Sequence, residues 1–414
     1  MSMVCLDTRP FGVSRGRAKV AAMNTSTRRS IDTRRLAAVA GILLVLVTAQ
    51  PANAAVTWAG DVNVATTDTY KPQILRTGAS RAIAIWQRGT TAYARRTSNE
   101  GVSWSARQTI ATNLEFRISA ASSGARVDLA YVKRSTNSSG TVVRRVYYRR
   151  SSDGGATWGT QRALTSTSSQ VADQAIAHRS NGQVSIAWTG LYSGNIYMRT
   201  STDHGATFAS AKYVGHTANS EVGRRVTYVG DLQLAIGTGV TYLAYTSAHE
   251  TLSVRRTLNR GSSWSGATKL NTAAGPDYSL AASGSKAVIG YTSHGGGMKA
   301  RFRTTTNSGS TWSASRLIVA VPTGSFSTQP TFIYRAGVLA VTVKAGTPGN
   351  SPVWLKTSTN FGSTMSARTR VSVQHFVDTD PEPAGLALLD GTILAGYNEN
   401  RRSPDEGFWV RRSN

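Results

Sequence analysis

Short apolar stretches recur along the chain, separated by polar turns. Ile83-Ala-Ile85-Trp86, Val127-Asp-Leu129-Ala-Tyr131, Val184-Ser-Ile186-Ala-Trp188, Tyr242-Leu-Ala-Tyr245, Val288-Ile-Gly-Tyr291 and Val338-Leu-Ala-Val341 are apolar on both faces of an extended chain. That pattern predicts strands sandwiched between neighbours. A small-residue strand precedes them, as at Ala175-Ile-Ala177 and Leu280-Ala-Ala282. A strand ending in basic or hydroxyl residues follows, as at Tyr93-Ala-Arg95-Arg96, Tyr147-Tyr-Arg149-Arg150 and Trp354-Leu-Lys356-Thr357. A fourth strand, such as Gln161-Arg-Ala-Leu164, comes after one more turn.

That last turn carries an octapeptide, Ser/Thr-x-Asn/Asp-x-Gly-x-Ser/Thr-aromatic. Ser151-Ser-Asp153-Gly-Gly155-Ala-Thr157-Trp158 and Ser201-Thr-Asp203-His-Gly205-Ala-Thr207-Phe208 are full copies. Looser ones centre on Asn99, Gly101 and Trp104, on Asn259, Gly261 and Trp264, on Asn307, Gly309 and Trp312, and on Asn360, Gly362 and Met365. An Asp or Asn accepts hydrogen bonds from turn N–H groups, and Gly supplies positive φ at no steric cost. The aromatic buries a large apolar area at the start of the next strand. The glycines are spaced by 54, 50, 56, 48 and 53 residues. Four strands in each of these periods describe a propeller blade, and the recurrence describes one ring rather than several domains.

The blade count follows from the two ends. Leu386-Ala-Leu388, Ile393-Leu-Ala-Gly-Tyr397 and Phe408-Trp-Val410 repeat the first three strands, and the chain stops at Ser413-Asn414, inside a turn motif. Val56-Thr57-Trp58 through Val64 resembles Val102-Ser103-Trp104 through Ile110, the second half of the motif. The sequence therefore predicts an all-β fold: a single propeller of seven four-stranded blades over residues 55–414, its ring closed by N- and C-terminal strands. Closure removes exposed edges. Six blades with the terminal strands packed elsewhere is the alternative.

Residues 1–54 read as something other than fold. Arg28, Arg29, Arg34 and Arg35 precede an uncharged apolar run from Leu36 to Thr48, and Ala52-Asn53-Ala54 fits a signal-peptidase site. This predicts a cleaved secretory signal, with Met23 as the start and residues 1–22 an upstream extension. An uncleaved anchor is the alternative, although the run is short of the roughly 20 residues a span needs. Whether export is of the general or the twin-arginine type stays open.

Composition adds charge. The chain has 414 residues and a net charge of +26. Loss of residues 1–54, which hold eight basic and two acidic residues, leaves +20 and removes Cys5, the one cysteine. That excludes a disulfide scaffold and a cysteine-built zinc site. Surplus positive charge favours anionic partners. The expected partner is an acidic glycan or a cell-envelope polymer, with no nucleic acid, no membrane after signal cleavage, no cofactor, and a monomeric extracellular protein.

The octapeptide resembles the Asp-box (BNR) repeat of the sialidase-like propeller superfamily, over roughly Val56 to the C-terminus. The resemblance implies that the boxes are structural and lie on the face away from the active site. It also implies a Phe/Tyr-Arg-Ile-Pro motif whose Arg grips a substrate carboxylate, which Phe116-Arg117-Ile118-Ser119 approaches. The family's acid/base Asp has no counterpart in residues 132–140, which hold no acid. Its Tyr–Glu nucleophile pair would fall on Tyr397 and Glu399, but Tyr397 also repeats the aromatic position of Trp86 and Trp188, a core place. The implied reading is a degenerate site that binds without turnover. The alternative is an exo-sialidase, or another glycoside hydrolase or lyase acting on acidic glycans.

Other polar residues fall on the loops opposite the octapeptides. His249, Glu250, His294, His375, Arg401 and Arg402 are the ligand-binding candidates beside Arg117. Asp378, Asp380 and Glu382 could hold a hard cation. Acids also open the first strands, at Glu115, Asp173, Asp231, Asp277 and Glu382, and would either ring the channel mouth or cap turns.

Overall fold

The protein is described by a computed structural model over residues 56–66, 69–217, 232–246, 251–294, 297–347, 349–373, 381–399 and 407–414. Within these residues, 28 strands form seven antiparallel sheets of four. The fold is a seven-bladed β-propeller, so the six-bladed alternative falls. In blades 1 to 6 the strands run in sequence order from the channel outwards; blade 2, for example, comprises Ser119–Ser123, Arg126–Thr136, Val142–Ser151 and Arg162–Ala163.

Blade 7 draws on both ends of the chain. Glu382–Leu388, Ile393–Glu399 and Gly407–Arg412 pair in order, and Val62–Ala65 adds the outer strand with Val62 opposite Val410 and Ala65 opposite Phe408. Trp58 bridges to Ser413, and the Asn414 N–H donates to the Thr57 carbonyl. The split octapeptide is thus reassembled in space.

The core consists of seven apolar clusters, one in each interface between neighbouring blades. Second strands are buried on both faces, as the unbroken burial of residues 184–189 shows. This is why their sequences do not alternate. The octapeptide aromatic enters the interface with the preceding blade. Trp158 joins Ile83 and Ile85, Phe208 joins Tyr148, and Trp104 joins Leu394 and Phe408. Trp264 joins Met198 and Leu243, and Trp312 meets Tyr242 edge to face with ring centroids 6.2 Å apart. Met365, where the motif would have an aromatic, fills the same place with Phe302 and Leu339. A flexible thioether can occupy the space of a ring there. Trp58 joins Leu355 and Tyr397 and holds the seventh aromatic position.

Within each octapeptide the first hydroxyl organises the turn. Ser151 Oγ accepts from the Gly155 N–H at 2.8 Å and donates to Asp153 at 2.7 Å, and Asp153 accepts from the Thr157 N–H at 2.9 Å. The four looser copies close in the same way. The N–H groups of Gly101, Gly261 and Gly309 donate to the hydroxyls of Thr97, Thr257 and Thr305 at 2.9, 2.9 and 3.0 Å, and that of Gly362 to Ser358 at 2.8 Å. Where Asn replaces Asp, one bond reverses. Thr157 Oγ1 donates to Asp153, whereas Asn99 Nδ2 donates to Ser103 Oγ. The two residue types are therefore interchangeable in this turn. Gly155 has φ +89°, and a Cβ there would stand 2.3 Å from Ile83 of blade 1. The glycine is required by backbone shape and by the neighbour's approach together. The residue before it is also left-handed in five copies without being Gly: Glu100, His204, Arg260, Ser308 and Phe361.

Many basic residues have structural duties. Arg149, Arg255, Arg303 and Arg411 donate to carbonyls just past the octapeptide, at Gly159, Ser265, Ser313 and Ala59. Arg162 and Arg316 reach the next blade's turn at Gly205 and Gly362. Part of the positive charge thus serves to satisfy backbone carbonyls.

Candidate functional site

The inner strands enclose a central channel of about 860 Å³. Its two ends are built differently. At one end the octapeptide turns bond to the hairpins between first and second strands, with Gly154 donating to Ala125 and His204 to Gly182. The other end, where the first strands begin, is irregular. Register shifts interrupt the first strands of blades 1, 3, 5, 6 and 7, between Tyr70 and Gln73, Val171 and Asp173, Ala274 and Tyr278, Thr328 and Thr331, and Pro383 and Leu386. Lys71 and Gln329 take positive φ within these bulges, at 46° and 54°. Bulges are over-represented where strands re-aim side chains next to binding sites.

The mouth at this end carries Lys71, Gln73, Arg117, Asp277, Glu382 and Asn398. Arg117 is 9% exposed and lies against Asp173, with Nε and Nη2 each 3.1 Å from a carboxylate oxygen. Its Nη2 also donates to the Leu232 carbonyl at 2.9 Å, while Asp173 accepts from the Leu232 N–H at 2.6 Å. The pair ties blades 2, 3 and 4 together. The fork that would grip a substrate carboxylate is here turned onto a carboxylate of the protein itself. Two other first-strand acids differ in surroundings: Glu115 pairs with Arg144 at 3.0 Å, while Glu382 lines the channel beside Asn398. Asn398 exchanges hydrogen bonds with Thr69, 2.7 Å to its side chain and 3.1 Å to its carbonyl.

Tyr397 and Glu399 alternate about Asn398 and so share one face of their strand. Both are fully buried. Tyr397 packs with Leu355, Val371 and Leu386 between blades 6 and 7, donates to Asp61 and accepts from the Val373 N–H. Burial, and then the bond to the Asp61 carboxylate, push its phenol well above the ordinary tyrosine value. A nucleophile requires a shift in the opposite direction. In register Tyr397 stands opposite Trp409, as Trp86 stands opposite Tyr93 and Trp188 opposite Tyr197. It occupies the core place that the repeat assigns to an aromatic.

His294 is exposed at the end of the second strand of blade 5, with its ring over Gly275. His249, Glu250, His375, Asp378, Asp380, Arg401 and Arg402 lie outside the described residues. Glu382 is the described member of the acidic trio, and no cluster of three metal-ligating side chains occurs among the described residues. The sequence places Lys71 in a poorer copy of the Arg motif, Tyr70-Lys71-Pro72, and Asn398 at the head of the long blade-7 loop, but does not announce Asp173 as the partner of Arg117. The signal for Asp173 was its place at a strand start, one blade on from Arg117.

No protein-family model matches the chain, and no curated protein matches it by sequence. Solved structures do. A protein of unknown function from Dyadobacter fermentans is similar at 13% identity and TM-score 0.49, covering 73% of this chain and 98% of that one. The NanB sialidase of Streptococcus pneumoniae is similar at 11% identity and TM-score 0.47, covering 87% of this chain and 70% of that one. The sialidase of Trypanosoma rangeli, in complex with the inhibitor DANA, is similar at 11% identity and TM-score 0.46, covering 84% of this chain and 55% of that one. Likenesses of this degree are likenesses of fold.

Proposed function

We propose that this chain is an exported Asp-box propeller whose irregular channel mouth binds an anionic polymer, an acidic glycan or a cell-envelope component, without hydrolysing it. The observation that carries the reading is the contrast between the channel's two ends. One end repeats a stabilising turn, and the other departs from the repeat by bulges; there Lys71 and Glu382 line the channel, while the amides of Gln73 and Asn398 brace the mouth through Ile118, Ala120 and Thr69. A channel with a few convergent polar groups is the usual form of a ligand site. The net charge of +26 favours an anionic ligand. Non-catalytic binding is supported by the two residues that would otherwise do chemistry. Arg117 is paired with Asp173, and Tyr397 is a buried donor to Asp61.

The test is a glycan array and a fluorogenic sialoside assay on one preparation. The expected result is binding that weakens as salt rises, is reduced in Lys71→Glu, and comes without turnover. Turnover abolished by Tyr397→Phe or Glu399→Gln would replace this reading with that of a sialidase.

A further inference from the structure

A second cluster of ionisable groups lies at the opposite end of the ring, between blades 2 and 3. Asp128 is 1% exposed in the second strand of blade 2. It accepts from the Tyr148 hydroxyl, and its other oxygen lies 2.5 Å from Nδ1 of His178, whose side chain is fully buried. Nε2 of His178 faces Nδ1 of His204 at 3.2 Å, with the two rings edge to face. His204 lines a pocket of about 300 Å³ whose wall also includes Arg126, Arg150, Ser152, Thr157 and Trp158.

The repeat itself shows that the fold does not need this cluster. Asp128 pairs with Arg150, the residue just before the octapeptide. The same register position holds Ile83, Ser185, Tyr242, Val288, Ala340 and Leu394 in the other six blades. Six blades bury a neutral side chain where this one buries a carboxylate, at a desolvation cost the others avoid. That carboxylate is occupied by Tyr148 and His178. The rim above it is positive: Arg126 is exposed with no hydrogen-bond or ion-pair partner among the described residues, and Arg150 donates to the His204 carbonyl at 3.0 Å.

We propose that Arg126, Arg150 and His204 form a second binding site, for a sulfo or phospho ester group, that fills as His204 takes a proton. A pocket lined by two guanidiniums and an imidazole suits a tetrahedral oxyanion better than a carboxylate, which a single guanidinium can grip with both oxygens. His178 Nε2 and His204 Nδ1 can share only one hydrogen at 3.2 Å, so a proton gained by the pair leaves His204 with a hydrogen on Nε2, where it donates instead of accepting.

The groups that set this titration can be named from every side. Arg126 and Asp128 face it from the second strand of blade 2, Arg150 from the third and Arg162 from the fourth. His178 faces it from blade 3, and the neighbouring Asp203 is engaged by Ser201 and Thr207. Burial, then Arg126 and His178, hold the His204 imidazole below its ordinary value. An oxyanion between the arginines would relieve that repulsion, so binding and protonation favour each other. The site lies on the octapeptide face and is independent of the channel mouth.

The experiment is histidine NMR on the full chain, titrated with sodium sulfate against sodium chloride at constant ionic strength. Sulfate keeps its charge between pH 5 and 8, so any pH dependence belongs to the protein. The expected result is a saturable shift of the His204 signals with His294 unmoved, an affinity that tightens as pH falls from 7.5 to 5.5, and a roughly tenfold weaker affinity in Arg126→Gln, in keeping with loss of a charge-assisted bond. Arg126 is exposed, so this variant keeps the fold; Arg126→Lys should retain part of the affinity. Methyl sulfate and methyl phosphate run in parallel distinguish the two ester classes by which binds more tightly at pH 5.5. A shift that does not saturate, an affinity equal at the two pH values, or an Arg126→Gln variant that binds like the parent overturns the proposal.

Discussion

The hydroxyl of Tyr397 donates to the carboxylate of Asp61, 336 positions earlier in the chain. Tyr397 belongs to the second strand of blade 7, and Asp61 immediately precedes the N-terminal strand that completes that blade. The bond therefore clasps the two halves of the closing blade, next to Trp58, which fills the same interface.

Removing the clasp should weaken the ring without touching ligand binding. We expect Tyr397→Phe to lower stability by about 1.5–3 kcal/mol, the range for a hydrogen bond to a charged group. Deleting residues 55–65 should do more, since it removes the outer strand and the seventh aromatic, and should abolish the single cooperative transition in denaturant. An unchanged midpoint and slope after the deletion would mean that the N-terminal strand does not close the ring.

The octapeptide glycine can be tested in the same way. Gly155→Val forces a branched side chain into positive φ and against Ile83 of blade 1, and we expect a loss of about 2–5 kcal/mol from strain and overpacking combined. Adding Ile83→Ala to Gly155→Val should restore part of the loss, because it relieves the contact but not the φ. If the second change restores nothing, the glycine serves the backbone alone.

These turns also explain how much of the molecule could be read from sequence. The octapeptide is local: its hydroxyl, carboxylate or amide and glycine bond within eight residues, so spacing alone revealed the repeated blades. Even the copy that ends in Met365 rather than a ring was recognisable, because Asn360 and Gly362 kept the turn. The closing strand was legible because half of the motif stood at each end. The site was less legible because its determinants cross between blades. Nothing near Arg117 in sequence announces Asp173, 56 residues away, as its partner. Tyr397 and Glu399 do share a face, but the surroundings of Tyr397 come from Asp61 and Val371, distant in sequence. Asp128 stood in plain view within an apolar strand, and comparison of the seven register positions would have singled it out.

Acid should unfold the protein partly through the octapeptides. Burial acts to raise the Asp153 carboxyl, but hydrogen bonds from the Thr157 hydroxyl and N–H and from Ser151 outweigh it and hold the value at about 2, against 3.8 for the free side chain. Asp203 is held low by Ser201 and Thr207. A depressed folded-state value gives stability that is fully present above about pH 4 and is lost as pH falls toward 2. We expect Asp153→Asn to flatten the fall in Tm between pH 4 and 2 and to change little at pH 7, since Asn99, Asn259, Asn307 and Asn360 form the same turn. Thermal melts of both proteins across that range check it.

Arg117 should behave as a structural residue first. Arg117→Ala leaves Asp173 buried with its ion-pair partner removed, and we expect a loss of about 3–5 kcal/mol, as for other broken buried pairs. Replacing both residues, as Arg117→Met with Asp173→Leu, should recover most of it. If Arg117→Ala melts like the parent but loses anion binding, the guanidinium serves the ligand rather than the fold.

Turnover is the sharpest question. We expect no appreciable release of sialic acid from a fluorogenic sialoside. Two absences of function lead there by separate routes. Residues 132–140, where the Asp-box resemblance would set the acid that protonates a leaving group, contain none, and general acid catalysis is worth roughly a hundred- to ten-thousand-fold. The Tyr397 phenol, raised by burial and by Asp61, is a poor nucleophile. Binding is independent of both, so an anionic glycan should still be retained at low salt and released as salt rises. Measured turnover that survives Tyr397→Phe would direct attention to a different nucleophile. Turnover that disappears with that substitution, at unchanged Tm, would mean the buried phenol is exposed and used when substrate binds. No turnover in either protein, with salt-sensitive binding in both, is the expected outcome.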